Sequence, residues 1–402
     1  MNRYHTSLLF AAALFAGAVA AAGDVIDAME RAPLPTVGDG GQTSALVDGF
    51  EGKAVRLSFP DGAKSKYFRT RVRGAASWDA AAGFSFRVKG DGSKGMGCLQ
   101  FIWNEDYAAR YDVAFPLAST EWTKVVVAWD DLVPVLPKPS CRFVGTGPGR
   151  NAPSKMSQMW IGKWWYWHDV EAHTFAIDHF ALERTIERDE TEYRPRGAPL
   201  ARTLQKLKAG KPVSVATMGD SLTDFRHWAN RGVNWPTLFK ESLSTTYRSN
   251  VTLVNPAIGG TQLRQNLILV TTWLDSAAPP DLITICFGYN DWEAGMRADM
   301  FRETYEYAVR RLRRLTRGRS DILVITTCPA VAKWDTMAEL AEACRAVARS
   351  ENAGLADTYA AFHREGATDR EHLYCRDKTH LGPAGHRVFA RTVVDALERG
   401  GR

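Results

Sequence analysis

Two hydrophobic periods in one chain predict a multidomain protein: an all-β sandwich followed by an α/β/α domain on a five-stranded parallel sheet. The first observation is a train of short alternating runs between residues 43 and 182, punctuated by turn residues at the spacing of a sandwich. The second is a later switch to apolar runs separated by helix-period segments, as in a parallel sheet covered by helices on both faces. The third is length, since 402 residues exceed the roughly 100–200 of one ordinary domain.

The chain opens with MNRYHTSLLFAAALFAGAVAAAGD, in which Arg3 precedes an apolar run ending in the small residues Ala18, Val19 and Ala20. Residues 1–22 read as a signal peptide cut near Ala20 or Ala22, which makes the mature protein secreted or periplasmic. The run is Ala-rich and short of the roughly 20 strongly apolar residues of a span, so no membrane insertion is expected after cleavage.

Residues 23–185 are expected to form the sandwich, from AVRLSF, YFRTRV, GFSFRVKG, CLQFIWN, YDVAFPL, WTKVVVAWDDL and TFAIDHFAL. Near its end, KWWYWHD places Trp164, Trp165 and Trp167 within four positions, and a strand cannot turn all three inward. At least one indole is then free to stack on a sugar ring; the competing reading is core filling. The polar stretch ERTIERDETEYRPRGAP and a short helix closed by Gly210 and Pro212 make residues 186–208 a linker.

From residue 209 to 402 the strands are VSVATM, NVTLVN, DLITICF, DILVITTC and AGLADTY. Among the helices, residues 300–315 repeat Phe301, Tyr305, Val309, Leu312 and Leu315 at helical spacing. The arginines between 310 and 319 fall on the polar face and last turn of that helix, where a solvated cationic face is expected.

Composition narrows the function. With 45% hydrophobic and 24% charged residues the chain is globular, and its net charge of +6 comes from basic residues interleaved with acids. No nucleic-acid partner is indicated. Of the six cysteines, Cys98 and Cys141 lie in the first half and Cys286, Cys328, Cys344 and Cys375 in the second. Export would permit pairing within each half, whereas Cys286 and Cys344 sit in apolar patterns that suit buried thiols. The spacing matches no zinc site, and no metal or cofactor is expected.

In a doubly wound sheet ligands collect beyond the carboxyl ends of the strands. After the first strand comes Gly219-Asp220-Ser221-Leu222, after the second NPAIGGT (255–261), and after the third Gly288-Tyr289-Asn290-Asp291. Asp377 and His380 precede the last helix in CRDKTHLGPAGH. A neutral Ser221 hydroxyl needs a base, and His380 supplies one. Asp377, three residues earlier, would orient the imidazole and stabilise its charged form. His363, His372 and His386 compete, but only His380 has an Asp three residues before and a helix just after. Backbone N–H groups of Ser221 and of a glycine in the second block, with the Asn290 amide, would receive an oxyanion. Asp220 reads as a turn cap and Asp291 as a loop-holding residue. Trp228, Trp235, Trp273, Trp292 and Trp334 are expected mostly in the core, with Trp292 lining the pocket.

These four blocks, in this order and each after its strand, resemble the SGNH (GDSL) hydrolase superfamily over residues 211–402. The resemblance implies an α/β/α hydrolase, catalytic Ser221, His380 and Asp377, and an oxyanion hole from Ser221, Gly260 and Asn290; Gly260 aligns with the family glycine when Asn255 and Ile258 are matched. The first half resembles the galactose-binding-like jelly rolls used as carbohydrate-binding modules. Together they imply an exported carboxylic ester hydrolase acting on an acylated carbohydrate, through a Ser-His-Asp triad and acyl-enzyme, with O-acetyl groups as the acyl. A lipase, phospholipase or thioesterase, a sugar O-acetyltransferase, and a non-catalytic carbohydrate-binding protein remain alternatives at this stage. Oligomeric state is open.

Overall fold

A computed structural model of the chain describes residues 24–38, 40–62, 67–163 and 171–401. The segment read as a signal peptide, 1–22, and the aromatic trio Trp164, Trp165 and Trp167 lie outside the described residues.

The strands of the N-terminal half are β1 (Asp24–Asp27), β2 (Thr36–Val37), β3 (Thr43–Asp48), β4 (Lys53–Phe59), β5 (Tyr67–Arg69), β6 (Gly83–Lys89), β7 (Met96–Trp103), β8 (Asp106–Pro116), β9 (Thr123–Ala128), β10 (Val133–Pro134), β11 (Met156–Lys163) and β12 (His173–Glu183). They build two antiparallel sheets, one ordered β3-β4-β12-β6-β9 with β1 also on β12, the other β10-β8-β7-β11-β5-β2. The chain crosses repeatedly between the sheets, as in a jelly roll. Phe84 and Phe86, two apart on β6, share the inner face. They meet Phe101 and Phe115 of the other sheet edge-on, at centroid distances of 5.0 and 5.2 Å. The alternating runs of the sequence correspond to β4–β9 and β12; β1, β2, β3, β10 and β11 are not among them, and in β11 Gln158, Gly162 and Lys163 blur the alternation.

The C-terminal half runs α1 (Ala201–Lys208), β13 (Val213–Gly219), α2 (Trp235–Tyr247), β14 (Val251–Val254), α3 (Leu263–Ile268), β15 (Leu282–Cys286), α4 (Tyr289–Glu293), α5 (Ala298–Thr316), β16 (Asp321–Ile325), α6 (Ala338–Ser350), β17 (Gly354–Ala356), α7 (Thr358–Glu365) and α8 (Pro383–Gly400). Its five strands are parallel throughout in the order β14-β13-β15-β16-β17. Strand alternation sorts the side chains into two layers. Val213, Val215, Leu323 and Ile325 pack with Leu207, Phe239, Phe362 and Val393 of α1, α2, α7 and α8. Ala216, Met218, Ile283, Ile285 and Val324 pack on the other face with α3, α5 and α6.

That second layer also takes Tyr67, Cys98, Val133 and Val135 from the sandwich, so the halves share one hydrophobic cluster. β7 is therefore buried on both faces: Leu99, Phe101 and Trp103 look into the sandwich, and Cys98 looks into the seam. Buried Arg264 of α3 crosses the seam, donating from Nη1 to the Leu136 carbonyl (3.0 Å) and from Nε to Thr304 Oγ1 (3.1 Å).

The cationic face expected to be solvated between 310 and 319 is so only in part: Arg310, Arg317 and Arg319 are exposed, whereas Arg311, Arg313 and Arg314 are drawn inward. Arg313 is buried and donates to the Glu351 carbonyl (2.7 Å), and Arg310 pairs with the Glu351 carboxylate. Arg311 donates to the Asp131 carbonyl (3.2 Å) and Arg314 lies 3.7 Å from its carboxylate, so this part of the helix docks against the sandwich. All six cysteines are unpaired, and five are buried. No helix of the described residues is long and apolar enough to cross a membrane.

Candidate active site

The four sequence blocks converge at one edge of the parallel sheet, past the C-terminal ends of β13, β14 and β15. β13 ends level with β15, Gly219 opposite Cys286, and Ser221 stands two residues beyond. The turn beneath it is tied down from several directions. Thr223 and Asp224 N–H groups donate to the Asp220 carbonyl at 3.0 and 2.9 Å, and Leu222 N–H to Asp220 Oδ1 at 3.0 Å. Asn255 joins the second loop to this turn, donating from Nδ2 to Thr217 Oγ1 (2.8 Å) and the Thr223 carbonyl (2.9 Å). Asp220 is thus the turn cap the sequence predicted.

His380 reaches this turn from a short hairpin. Tyr374 bridges Leu381, Cys375 N–H donates to the His380 carbonyl (2.7 Å), and Lys378 adopts a left-handed φ of 57° at the tip. A non-glycine residue held there is strained, and surrounding contacts must hold it. Lys378 Nζ bonds Glu371 Oε1 (2.7 Å), and the Lys378 carbonyl accepts from Val331 N–H (3.0 Å).

The resulting line is continuous: Ser221 Oγ to His380 Nε2 is 2.9 Å and His380 Nδ1 to Asp377 Oδ2 is 2.5 Å. Asp377 Oδ1 accepts the backbone N–H groups of Thr379 (3.2 Å) and His380 (3.1 Å). Partial burial alone would raise the Asp377 carboxyl; the His380 ring and these N–H groups outweigh it and hold the acid below the usual carboxylate range.

The oxyanion candidates differ in readiness. Neither Ser221 N–H nor Gly260 N–H has an acceptor among the described residues, whereas Gly259 N–H is taken by Asp224 Oδ2 at 2.9 Å. Gly260 also has a left-handed φ of 76°, a turn that exposes its N–H and favours glycine. Asn290 Nδ2 is held by the Thr261 carbonyl (3.1 Å) and Asp220 Oδ2 (3.3 Å), so an incoming oxyanion has to share the hydrogen of the longer bond. Gly288 starts this loop at φ 146°, and a Cβ there would meet Thr327 Oγ1 at 2.2 Å. Only glycine fits.

Residues 217–388 match the GDSL-like Lipase/Acylhydrolase family. The C-terminal half carries a GDSL/SGNH hydrolase domain. Solved structures similar to the chain include an acetylxylan esterase from Geobacillus stearothermophilus, at 21% identity over 47% of this chain and 96% of that one, TM-score 0.41. A lipase/acylhydrolase from Enterococcus faecalis is 20% identical over 46% of this chain and 96% of that one, TM-score 0.39. No curated protein matches the chain.

Two buried carboxyls support the GDSL domain's loops. Burial pushes Asp220 up to about 6 although Leu222 N–H and the charge of His380 oppose it. Asp291 accepts Leu263 N–H (3.1 Å) at the start of α3, and burial, reinforced by the charge of Asp220, pushes it up to about 7. Asp291 is thus the loop-holding residue that was expected.

Sequence reasoning missed several neighbours. Asp224 holds Gly259 and Arg226, and Asn230 donates from Nδ2 to the Ser221 and Asp224 carbonyls, 2.7 Å each. Their types are those of any turn, so nothing in their spacing marked them. The His227 ring stacks on His380 at 4.2 Å, and Trp228 lies edge-on to His380 at 5.7 Å. Trp228 corrects the core expectation: it is 54% exposed, while Trp235 is fully buried beside Phe389. Trp292, expected to line the pocket, is half-buried where α4 packs on the core, with Arg297 and Lys333 each 4.6 Å from its ring. Among the described residues, the indole that touches the Ser221–His380 line is Trp228.

Of the competing histidines, His386 is buried, accepts Trp235 N–H at Nδ1 (3.2 Å) and is lowered to about 4 by burial. His363 packs between Trp334 and Tyr359. Cavities of about 480 and 750 Å³ lie along the linker and the seam, and none of their lining residues belongs to the four catalytic-edge loops.

Proposed function

We propose that this chain is an exported serine esterase that removes O-acetyl groups from a polysaccharide or oligosaccharide. Ser221 is the nucleophile, His380 the base and then the acid, and Asp377 the group that orients the imidazole. The observation that carries the reading is the unbroken line from Asp377 through His380 to Ser221, beside unoccupied Ser221 and Gly260 N–H groups.

The chemistry follows from that line. Ser221 Oγ attacks the ester carbonyl as its proton passes to His380 Nε2, forming a tetrahedral oxyanion. The N–H groups of Ser221 and Gly260 receive the negative oxygen, and Asn290 adds a third donor by sharing the hydrogen now on Asp220. The imidazolium, balanced by ionised Asp377, protonates the departing alcohol. Water then adds to the acyl carbon as His380 takes its proton, and return of that proton to Ser221 Oγ breaks the acyl–serine bond and releases acetate.

Several features favour a polymeric, polar substrate. Ser221 and His380 are only half-buried and Asp377 is exposed, so the site opens onto the surface. The leader-like N-terminus supports export. The jelly-roll half lies against the hydrolase domain, where it shapes the flank of α3.

Acetate release from a panel of acetylated plant and algal polysaccharides, with Ser221→Ala as control, tests the reading. Release that requires Ser221 supports it. Ser221-dependent cleavage of small aryl acetates without release from any polymer keeps the esterase and discards the substrate class.

A further inference from the structure

Trp228 is the most exposed large hydrophobic residue among those described, yet it is not loose. It begins the short turn Trp228–Asn230, whose buried Asn230 is bonded to the Ser221 and Asp224 carbonyls. Its ring packs against two imidazoles, 5.3 Å from His227 and 5.7 Å from His380 between centroids. An indole held this firmly by the catalytic edge, with half its surface in water, is an apolar face awaiting a partner.

His227 supplies the polar counterpart. Ala229 N–H donates to His227 Nδ1 (3.4 Å), which leaves the ring hydrogen on Nε2. A Cβ built on Gly259 would come within 3.6 Å of both His227 Cδ2 and Ser221 Cβ, so this edge of the imidazole borders the cleft above the nucleophile. Burial, and then the charge of His380, hold His227 below its ordinary range, which keeps Nε2–H a neutral donor.

Which half of an ester these rings meet follows from the chemistry of His380. Its Nε2 protonates the departing oxygen, so the groups flanking that imidazole contact the alcohol part and not the acyl part. We propose that Trp228 and His227 form the leaving-group subsite and that it takes a pyranose ring, one C–H face on the indole and one hydroxyl accepting from His227 Nε2–H. The proposal rests on the acyl-transfer reading of Ser221.

The test compares kcat/KM of the full chain on two acetates that share the acyl group, a monoacetylated methyl xylopyranoside and 2-hydroxyethyl acetate. Trp228→Ala is expected to lower the pyranoside value about tenfold more than the hydroxyethyl value, the scale of one aromatic contact, with Trp228→Phe recovering most of the difference. Any loosening of His380 cancels in that ratio. In the Ser221→Ala protein, saturation-transfer NMR with the same pyranoside should show contact to ring C–H protons that Trp228→Ala abolishes. Equal losses on both esters, or ring contact unaffected by Trp228→Ala, overturn the subsite and leave the esterase standing. If the unmodified chain cleaves neither ester, the acyl-transfer reading falls and the leaving-group subsite with it.

Discussion

The catalytic edge and the seam between the halves hold their polar side chains by opposite means. At the edge, Ser221, His380 and Asp377 come from loops, keep partial contact with water, and bond mainly to one another. In the seam, Arg264 lies fully inside, bonded to a carbonyl of one half and a hydroxyl of the other. An edge built that way tolerates substitution because solvent can satisfy what is left behind. A seam cannot, since an unpaired buried polar group carries its whole desolvation cost.

The sharpest separation of the two regions is Ser221→Ala. Turnover should fall about 10³-fold or more while the thermal midpoint stays near that of the parent, read from ester hydrolysis and differential scanning calorimetry. Near-normal turnover would remove Ser221 from the chemistry. Asn290→Ala comes next, at on the order of 10²-fold in kcat if its amide serves the oxyanion. An unchanged rate would mean that its bonds to Thr261 and Asp220 are its whole role.

Arg264→Ala should behave in the reverse way, costing about 3 kcal/mol in urea unfolding while any loss of rate stays small at temperatures where the protein remains folded. Because α3 follows the Gly260–Thr261 turn directly, a loss of rate in this variant at full folding would show that the seam also positions the oxyanion loop. Residues 209–402 expressed alone should aggregate, since Leu263, Leu267 and Val270 would lose the cover of Val133 and Val135. A soluble, active fragment would make the seam dispensable.

The last effect is a pH dependence. His386 is lowered in the folded state to about 4 from an ordinary 6.5, so its contribution is complete above pH 6.5 and is lost as pH falls toward 4. The loss amounts to roughly 3 kcal/mol at most. Asp220 and Asp291, both raised, act with the opposite sign: each favours the fold at low pH and loses that contribution as pH rises through about 6 and 7. The measurement is therefore the difference between parent and His386→Asn in urea unfolding at pH 7.5 and 4.5. Curves that stay parallel would assign the acid sensitivity elsewhere.

The legible parts share one property. The inner strands β13, β15 and β16 are short, almost wholly buried runs, because their two faces meet two helix layers, whereas the edge strand β14 leaves Thr252 and Val254 exposed. Ser221, Asn290, Asp377 and His380 could be placed at one edge because the fold's topology puts the ends of those strands together. Where reading failed, the partner was distant in sequence. The arginines of α5 have the spacing of a solvated face; Arg310 keeps to it, and the arrival of Asp131 and Glu351 draws in Arg311, Arg313 and Arg314. Trp228 has the side chain of a core residue, yet it stands exposed against His227 and His380, and His380 is distant in sequence.

By itself the sequence determined the strand and helix periods, the break between the two halves, and the residue types gathered past the strand ends, because each depends on neighbours a few positions apart. Only the tertiary structure decided that the sandwich shares a core with the hydrolase domain, that all six cysteines stay unpaired, that Gly260 and not Gly259 keeps a free N–H, and that Trp228 stands beside His380. Those outcomes turn on which buried polar group finds which partner, and that is settled when distant segments pack and exclude water.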